Sequence, residues 1–529
     1  MNGDVLVARI DREPVILLGL GVSGCTGIWG IPEGKKDLVW LRSHRALDRA
    51  RPSPKCETTM ANHTSGLIGQ KWRGWRFLVV VPLFVLVAAF VGLEISGRVS
   101  LSRALQTARA AQEPFTFEEI LERRRAWPPE QDGGYVFSLL CSPLTELRKD
   151  SRLLSTLPIV GGVEVPPLGR RWPQQVQAAV NVELATILVV IDGLDRLRGY
   201  PGGNLPFVIP RDYEQAEEVV LPELAALRFA VKLKSLQAMA RAMQGDTSHI
   251  VDDTAVMVRL AGLLSDRPMV ISSLQKIACD SHVADTMEQV LAVAPIVPVD
   301  LSSLEALLAE TEAIDPMYWG VLGERALFFS SAEQTLQRGA GRGVSGWIRR
   351  DEAYCLGLFN RLAGVAKMSR GRPEAAIQLG QEALALPPRY SLTRTSFPSL
   401  GRAFTLSMVS TAQLRTARTG LAVERYRLET GGFPQQLDQL VPKYLGQVPL
   451  DPFDEKPLRY RLTDKSAKIY SIGEDGVDDG GDLAEQRDKK PGGDCGFVLL
   501  RPEFRNLPPV PTTQSGASKP VTTREAGAG

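Results

Sequence analysis

The sequence predicts a mainly α protein, with a single transmembrane helix, an α-helical middle region over 115–400 and a small C-terminal α+β domain over 404–503. Three observations carry this. A charge-free apolar run, Phe77 to Leu93, is about long enough to cross a bilayer. Between 115 and 400, apolar residues recur at steps of three and four, the helical period. Beyond 430 the chain breaks into short β-prone pieces punctuated by Gly, Pro and Asp.

Composition sets the bounds. A chain of 529 residues is long enough for two or three domains, each with its own core. The 44% apolar and 23% charged fractions are those of ordinary globular protein. A net charge of +2 supplies no basic field for nucleic acid. The six cysteines (Cys25, Cys56, Cys141, Cys279, Cys355, Cys495) stand far apart and form no Cys-x-x-Cys pair, which argues against a zinc ribbon or redox centre. One or two disulfides among the last four, or buried free thiols, are both open. His44, His63, His249 and His282 have no spacing suited to a metal pair.

Residues 1–59 are rich in Gly, Arg and Pro and lack periodicity. They read as an unstructured upstream extension, with Met60 a natural start. Residues 60–76 form a cytoplasmic flank, and 77–95 the membrane helix. Seventeen helical residues, Phe77 to Leu93, span roughly 26 Å. Trp72 and Trp75 suit the headgroup region, and Lys71, Arg73 and Arg76 favour a cytoplasmic N-terminus. The alternative is a buried core helix. Ala88-Ala-Phe90 is a poor cleavage site, so the segment reads as an uncleaved signal anchor.

In the middle region, 216–244 places Phe229, Leu233, Leu236, Ala240 and Met243 on one stripe, closed by Gly245-Asp246. A second helix covers 253–264, with Met257, Leu260 and Leu264 inward. Pro268 opens a third, with Val270, Leu274 and Ile277 on one face. Ser302-Ser-Leu-Glu305 has capping-box spacing and starts another. Gly371 to Pro388 resembles the second half of a tetratricopeptide repeat through Ala375, Leu379 and Ala383, without a 34-residue period around it. An ordinary amphipathic helix is the alternative. From 504 the Pro, Thr, Ser and Gly content reads as a disordered tail.

Two chemical signals lack their context. Gly19-Leu-Gly-Val-Ser-Gly24 matches a dinucleotide fingerprint, but Gly27, Gly30 and Pro32 would break the helix that must follow. Ile187 to Asp195 resembles a Walker-B strand, yet the chain holds no phosphate loop, and a buried helix or strand with a turn at Asp192-Gly193 is the alternative. No Gly-x-Ser-x-Gly elbow and no His-Glu-x-x-His motif is present. The expectation is therefore no nucleotide, no nucleic acid and no enzyme.

The C-terminal tract runs Tyr426-Arg-Leu-Glu-Thr-Gly-Gly-Phe-Pro434, Leu440-Val-Pro-Lys-Tyr-Leu445, Val448-Pro-Leu-Asp-Pro-Phe453, Leu458-Arg-Tyr460 and Ile469-Tyr-Ser-Ile-Gly-Glu-Asp-Gly476. In order and spacing it resembles the globular head of the major pseudopilin of type II secretion, over about residues 412–482. The resemblance implies a helix at 404–430 (Leu414, Ala417, Leu421 and Leu428 on one face) packed on a small antiparallel sheet. Arg459-Tyr-Arg461 and Lys468-Ile-Tyr470 would be strands of one hairpin turning near Lys465, and Cys495 to Leu500 a further strand. It also implies a calcium in the acidic loop, which here offers Asp475, Asp478, Asp479 and Asp482, with Ser471 nearby. A solvated acidic hairpin loop is the alternative. Two departures stand out. Ala484-Glu-Gln-Arg-Asp-Lys-Lys490 replaces the family's acidic close, and the membrane segment lacks the prepilin peptidase motif.

The resulting expectation is a non-enzymatic, single-pass protein of the bacterial inner membrane, with its bulk in the periplasm. It would act as a scaffold or accessory of a secretion or assembly system, with other envelope proteins as partners. The alternatives are a periplasmic helical-repeat binding module and, last, an envelope enzyme.

Overall fold

The computed structural model describes residues 6–10, 13–17, 68–150, 156–337, 345–367, 373–483 and 492–509. Two short strands, β1 (Leu6–Ile10) and β2 (Glu13–Leu17), form an antiparallel hairpin in which Val7 faces Ile16. The Gly19–Gly24 fingerprint, Met60, Cys25 and Cys56 lie outside the described residues. Helix α1 (Ile68–Ala110) covers the apolar run, with Pro82 inside it. It does not stop near 95 as expected but continues to Ala110. It is the one described helix that is long and apolar enough to cross a membrane unbent, and only 6% of its most apolar window is buried. A consecutive pair, Gln174–Thr186 and Leu188–Gly199, passes the same test only when joined across a 73° bend.

From Ser96 onward the described chain is one compact unit. Its centre is a layered helical body. After α2 (Phe117–Arg123), α3 (Gly133–Lys149), α4 (Gln174–Thr186) and α5 (Leu188–Asp195) comes the long α6 (Tyr213–Met243). Asp212 caps α6, its carboxylate accepting the Gln215 amide at 3.0 Å. Gly245 ends it in the left-handed region at φ 81°, where glycine is strain-free. The sequence predicts a single apolar stripe here. Instead Ala226, Leu227, Ala230, Leu233, Leu236 and Met239 are buried on several faces, because α3, α7 (Ile250–Gly262) and α8 (Val270–Val293) all pack on this helix. Met257, Leu260, Leu264, Val270, Leu274 and Ile277 face inward as expected.

The expected capping box at Ser302–Glu305 is not one. Helix α9 (Pro298–Glu312) starts four residues earlier, with Pro298 in its first turn, where proline's fixed φ and missing N–H cost nothing. The Ser302 hydroxyl bonds back to the Pro298 carbonyl at 3.2 Å. Helices α10 (Met317–Gln337) and α11 (Ser345–Lys367) follow and pack on each other. The continuation of α1 docks here, through Leu101, Ala108 and Phe115 against Leu356. At Gly97 the two backbones approach so closely that a Cβ would sit 2.5 Å from the Gly346 carbonyl oxygen. Just beyond α1, the buried Arg325 guanidinium binds Glu113 at 3.1 Å, the Pro114 carbonyl at 2.8 Å and Asn360 at 2.7 Å. That set satisfies both terminal nitrogens of a charge removed from water, while Nε has no partner among the described residues.

Helix α12 (Pro373–Ala385) occupies the repeat-like segment. Leu379 and Ala383 point inward as expected, and Ala376 rather than Ala375 joins them. After α13 (Ser391–Ser396) comes α14 (Pro398–Thr430), six residues longer than expected at its start. Leu414, Ala417 and Leu421 are buried, while Leu428 is exposed. The sheet is antiparallel in the order β3 (Arg459–Leu462), β4 (Ser466–Ser471), β5 (Cys495–Leu500), with Tyr460 opposite Ile469 and Ile469 opposite Phe497. The three expected strands and the turn at Lys465 are therefore present. The division into a helical region and a separate head is not. Helix α14 packs on α8, α9 and α12 as well as on β4 and β5, and one continuous core runs through both parts.

The chain stays ordered past 504, where the composition predicts disorder. Arg505 grips Glu424 with both guanidinium nitrogens at 2.7 and 2.8 Å. The amides of Asn506 and Leu507 bond to the carbonyls of Ala292 and Gly169. Residues 510–529 lie outside the described residues. Cys141, Cys279, Cys355 and Cys495 are free thiols, so none of these four forms the disulfides left open above. Burial pushes the thiols of Cys279 and Cys495 up to about 12, which leaves them un-ionised and inert.

Candidate functional site

The residues of the tract from Tyr426 to Gly476 are one another's partners. Asp451, fully buried, accepts the Ser471 hydroxyl at 2.8 Å, the Ile472 amide at 3.0 Å and the Phe453 amide at 2.9 Å, and meets Arg459 at 2.5 Å. The Pro-Leu-Asp-Pro turn is thereby pinned to the end of β4, where the acidic loop begins. Tyr426 and Tyr444 stack edge to face at 5.6 Å, and the Tyr460 hydroxyl donates to the Pro434 carbonyl at 2.9 Å.

The acidic loop leaves Asp475, Asp478, Asp479 and Asp482 exposed. Gly473, Gly476, Gly480 and Gly481 take positive φ and let it fold back on itself. Asp475 accepts the Val477 amide at 2.9 Å. Asp478 accepts the Gly480 amide at 2.9 Å and the Tyr470 hydroxyl at 3.2 Å. The sequence does not single out Asp494, which is buried beside the loop and accepts the Gly481 amide at 2.7 Å. Burial and the neighbouring charges of Asp478 and Asp479 push its carboxyl up, against backbone hydrogen bonds that lower it. Two loop carbonyls already face cations: Gly480 receives Arg461 and Gly481 receives Lys468, both at 2.6 Å. Among the described residues no three carboxylate, histidine or cysteine groups converge as a metal site. Residues 484–491, which close the loop, lie outside the described residues.

A second feature is a charged cleft of about 440 Å³ between α5, α6 and α7, lined by Asp192, Asp195, Arg196, Arg198, Arg241, His249, Asp252 and Asp253 among others. Behind its lining the fully buried Lys234 meets Asp195 at 2.5 Å and Asp253 at 2.6 Å. Arg241 also meets Asp253 at 2.9 Å, and Arg198 meets Asp252 at 2.7 Å. The Walker-B-like segment supplies Asp192 and Asp195, but it is helix α5, not a strand. Asp195 neutralises a lysine instead of facing an open metal position. Sequence reading missed this network, although its signal is present: Lys234 sits between Leu233 and Leu236 in an apolar helix, where an unpaired charge is prohibitive.

Nearby, α3, α4 and α5 expose large apolar side chains: Tyr135, Leu139, Val182, Leu188 and Val189. Val189 is 84% exposed. The chain matches no protein-family model, no curated protein and no solved structure.

Proposed function

We propose that the protein is a non-enzymatic, single-pass scaffold or accessory of the bacterial envelope, anchored by α1 and carrying a pseudopilin-like head fixed to its helical body. The observation that carries this is the almost wholly uncovered apolar stretch of α1, which runs without a break into a helix docked on the body. Lipid is the medium that removes such a surface from water at no cost in unsatisfied backbone, since a helix bonds internally. The apolar side chains exposed on α3, α4 and α5 support a role in contacting other proteins.

The head is proposed as a reused module and not as a subunit of a pilus. Along α14, residues 410, 412, 414, 416, 417 and 419–424 are buried against the body and the sheet. Lateral helix assembly would need faces that this fold has already used. Arg415 and Arg418 lock α14 to Glu312 of α9 at 3.0 and 2.6 Å, and Arg425 meets Glu305 at 3.1 Å.

Orientation follows from Lys71, Arg73 and Arg76 on the N-terminal side of the run. A reporter that works only in the periplasm, fused after residue 500, should be active. Activity confined to fusions made before residue 70 would reverse the topology. Alkaline extraction of membranes should leave the full chain in the pellet, and release into the supernatant would end the anchoring proposal.

A further inference from the structure

A second cleft, of about 720 Å³, lies where the continuation of α1 meets α11 and the segment before α13. Ser100, Arg103, Trp347, Arg350, Ala353, Tyr354, Arg389 and Tyr390 line it. It contains three arginines and no carboxylate. None of Arg103, Arg350 and Arg389 has an ion-pair partner among the described residues. Of the acids near by in sequence, Glu352 is fully buried and does not line the cleft, and two others are already engaged. Glu382 accepts the Tyr354 hydroxyl and two bonds from Arg361. Asp351 accepts the amides of Leu392 and Thr393 and the Thr393 hydroxyl.

Three like charges around one cavity repel, and folding alone gives no reason to gather them. An anion reverses the sign of that interaction. Arginine adds geometry to charge, because its planar fork matches the oxygens of a phosphate. The arginines are also partly ordered beforehand. The Arg389 guanidinium stands 5.9 Å from the Trp347 ring centroid and 5.5 Å from that of Tyr390. Trp347 and Arg350 lie in the first two turns of the 23-residue α11, whose N-terminal amides favour negative charge.

Position selects the source of the phosphate. Arg103 lies on α1, eight residues beyond Ile95, the end of the expected membrane segment. Within one continuous helix that is about 12 Å, just past a headgroup layer about 5–8 Å deep, to which a long arginine side chain can snorkel back. Trp347, 37% exposed at the cleft, is the residue type enriched at that level. We propose that this cleft binds the phosphate of an anionic phospholipid headgroup. The aromatic walls would receive the glycerol backbone. The assignment rests on the membrane anchoring proposed above.

The test uses the full chain purified in non-ionic detergent micelles and titrated with phosphatidylglycerol, with phosphatidylcholine and with inorganic phosphate, reading the melting temperature. Phosphatidylglycerol should raise it saturably, and phosphatidylcholine should not. Each arginine replaced by alanine should weaken phosphatidylglycerol binding about fivefold. The triple variant Arg103→Ala, Arg350→Ala, Arg389→Ala should lose the shift. Arg350→Ala alone keeps the test usable if the triple variant folds poorly. Equal shifts from both lipids, no shift from either, or a shift that survives in the variants would each overturn the proposal. A full shift from inorganic phosphate alone would identify a soluble anion and overturn the lipid assignment. Alkaline extraction separates the premises: a chain released from membranes yet stabilised by phosphatidylglycerol in micelles would end the anchoring proposal and leave the headgroup site standing.

Discussion

The two clefts of the helical body differ in how their charges are settled. Between α5, α6 and α7, Lys234, Arg198 and Arg241 each meet an aspartate, so most of the charge is balanced within the fold. Between α1 and α11, three arginines share a cavity with no acid. A balanced network is explained by the fold that buried it. An unbalanced one points outward, to something the chain does not contain. A dense cluster of titratable groups is therefore a weaker sign of a binding site than a sparse cluster left unpaired.

The largest expected effect tests the balanced side. Lys234→Ala leaves Asp195 and Asp253 facing each other without their shared cation. Breaking a buried pair in this way costs about 3–5 kcal/mol, read as a lower midpoint in chemical denaturation. A change within the error of measurement would mean that the cleft is not held by its charges.

A buried acid sharpens the comparison. Glu352 on α11 is fully buried, and neither of its carboxylate oxygens has a hydrogen-bond partner among the described residues. Burial raises its pKa from 4.5 to about 8, with Glu333 adding to the rise. The folded chain thus keeps a proton that the unfolded chain releases. The cost is absent below about pH 4.5, grows as pH rises and levels off above about 8. At pH 7 it is about 3 kcal/mol, from 1.36 kcal/mol for each pH unit. Glu352→Gln should remove it, so the variant's advantage over the wild type should widen from pH 5 to pH 8. Parallel stability curves would show that Glu352 finds a partner when ionised.

The acidic loop is the negative counterpart of the arginine cleft. If Asp475, Asp478, Asp479 and Asp482 share a calcium ion, the full chain should gain about 2.7 kcal/mol at a hundredfold excess over the dissociation constant. Asp478→Ala should abolish the gain, and magnesium should give less because it resists dehydration. Identical melting in calcium and in chelator would leave the loop held by its protein contacts, Arg461, Lys468 and Asp494 among them.

The smallest effect is expected where a charge has no partner to lose. Arg350→Ala should move stability by no more than about 0.5 kcal/mol in detergent without anionic lipid. A large loss would reveal an internal partner and weaken the case for an external one.

How far each feature could be read ahead depends on how local its cause is. The apolar run of α1, the strands at 459–462, 466–471 and 495–500 and the helix stop at Gly245 follow from neighbours in sequence. So does the acidic loop, whose residues lie side by side. The end of α1 could not be read that way. It runs on to Ala110 because Leu101 and Ala108 find Leu356, more than 240 residues further along the chain. The apparent capping box at Ser302 failed because Pro298 had already started the helix.

By itself the sequence determined the elements whose energy is local: an apolar span long enough for lipid, helices with a 3.6-residue period, and turns that need glycine or proline. Tertiary structure alone decided which charges meet. It paired Lys234 with Asp195 and Asp253, joined Arg505 to Glu424, and made head and body one core along α14. It also left Arg103, Arg350 and Arg389 together without an acid. Side chains nearly three hundred residues apart become neighbours only when the chain closes on itself, and the Coulomb energy between them depends on that distance and on how much water remains between them.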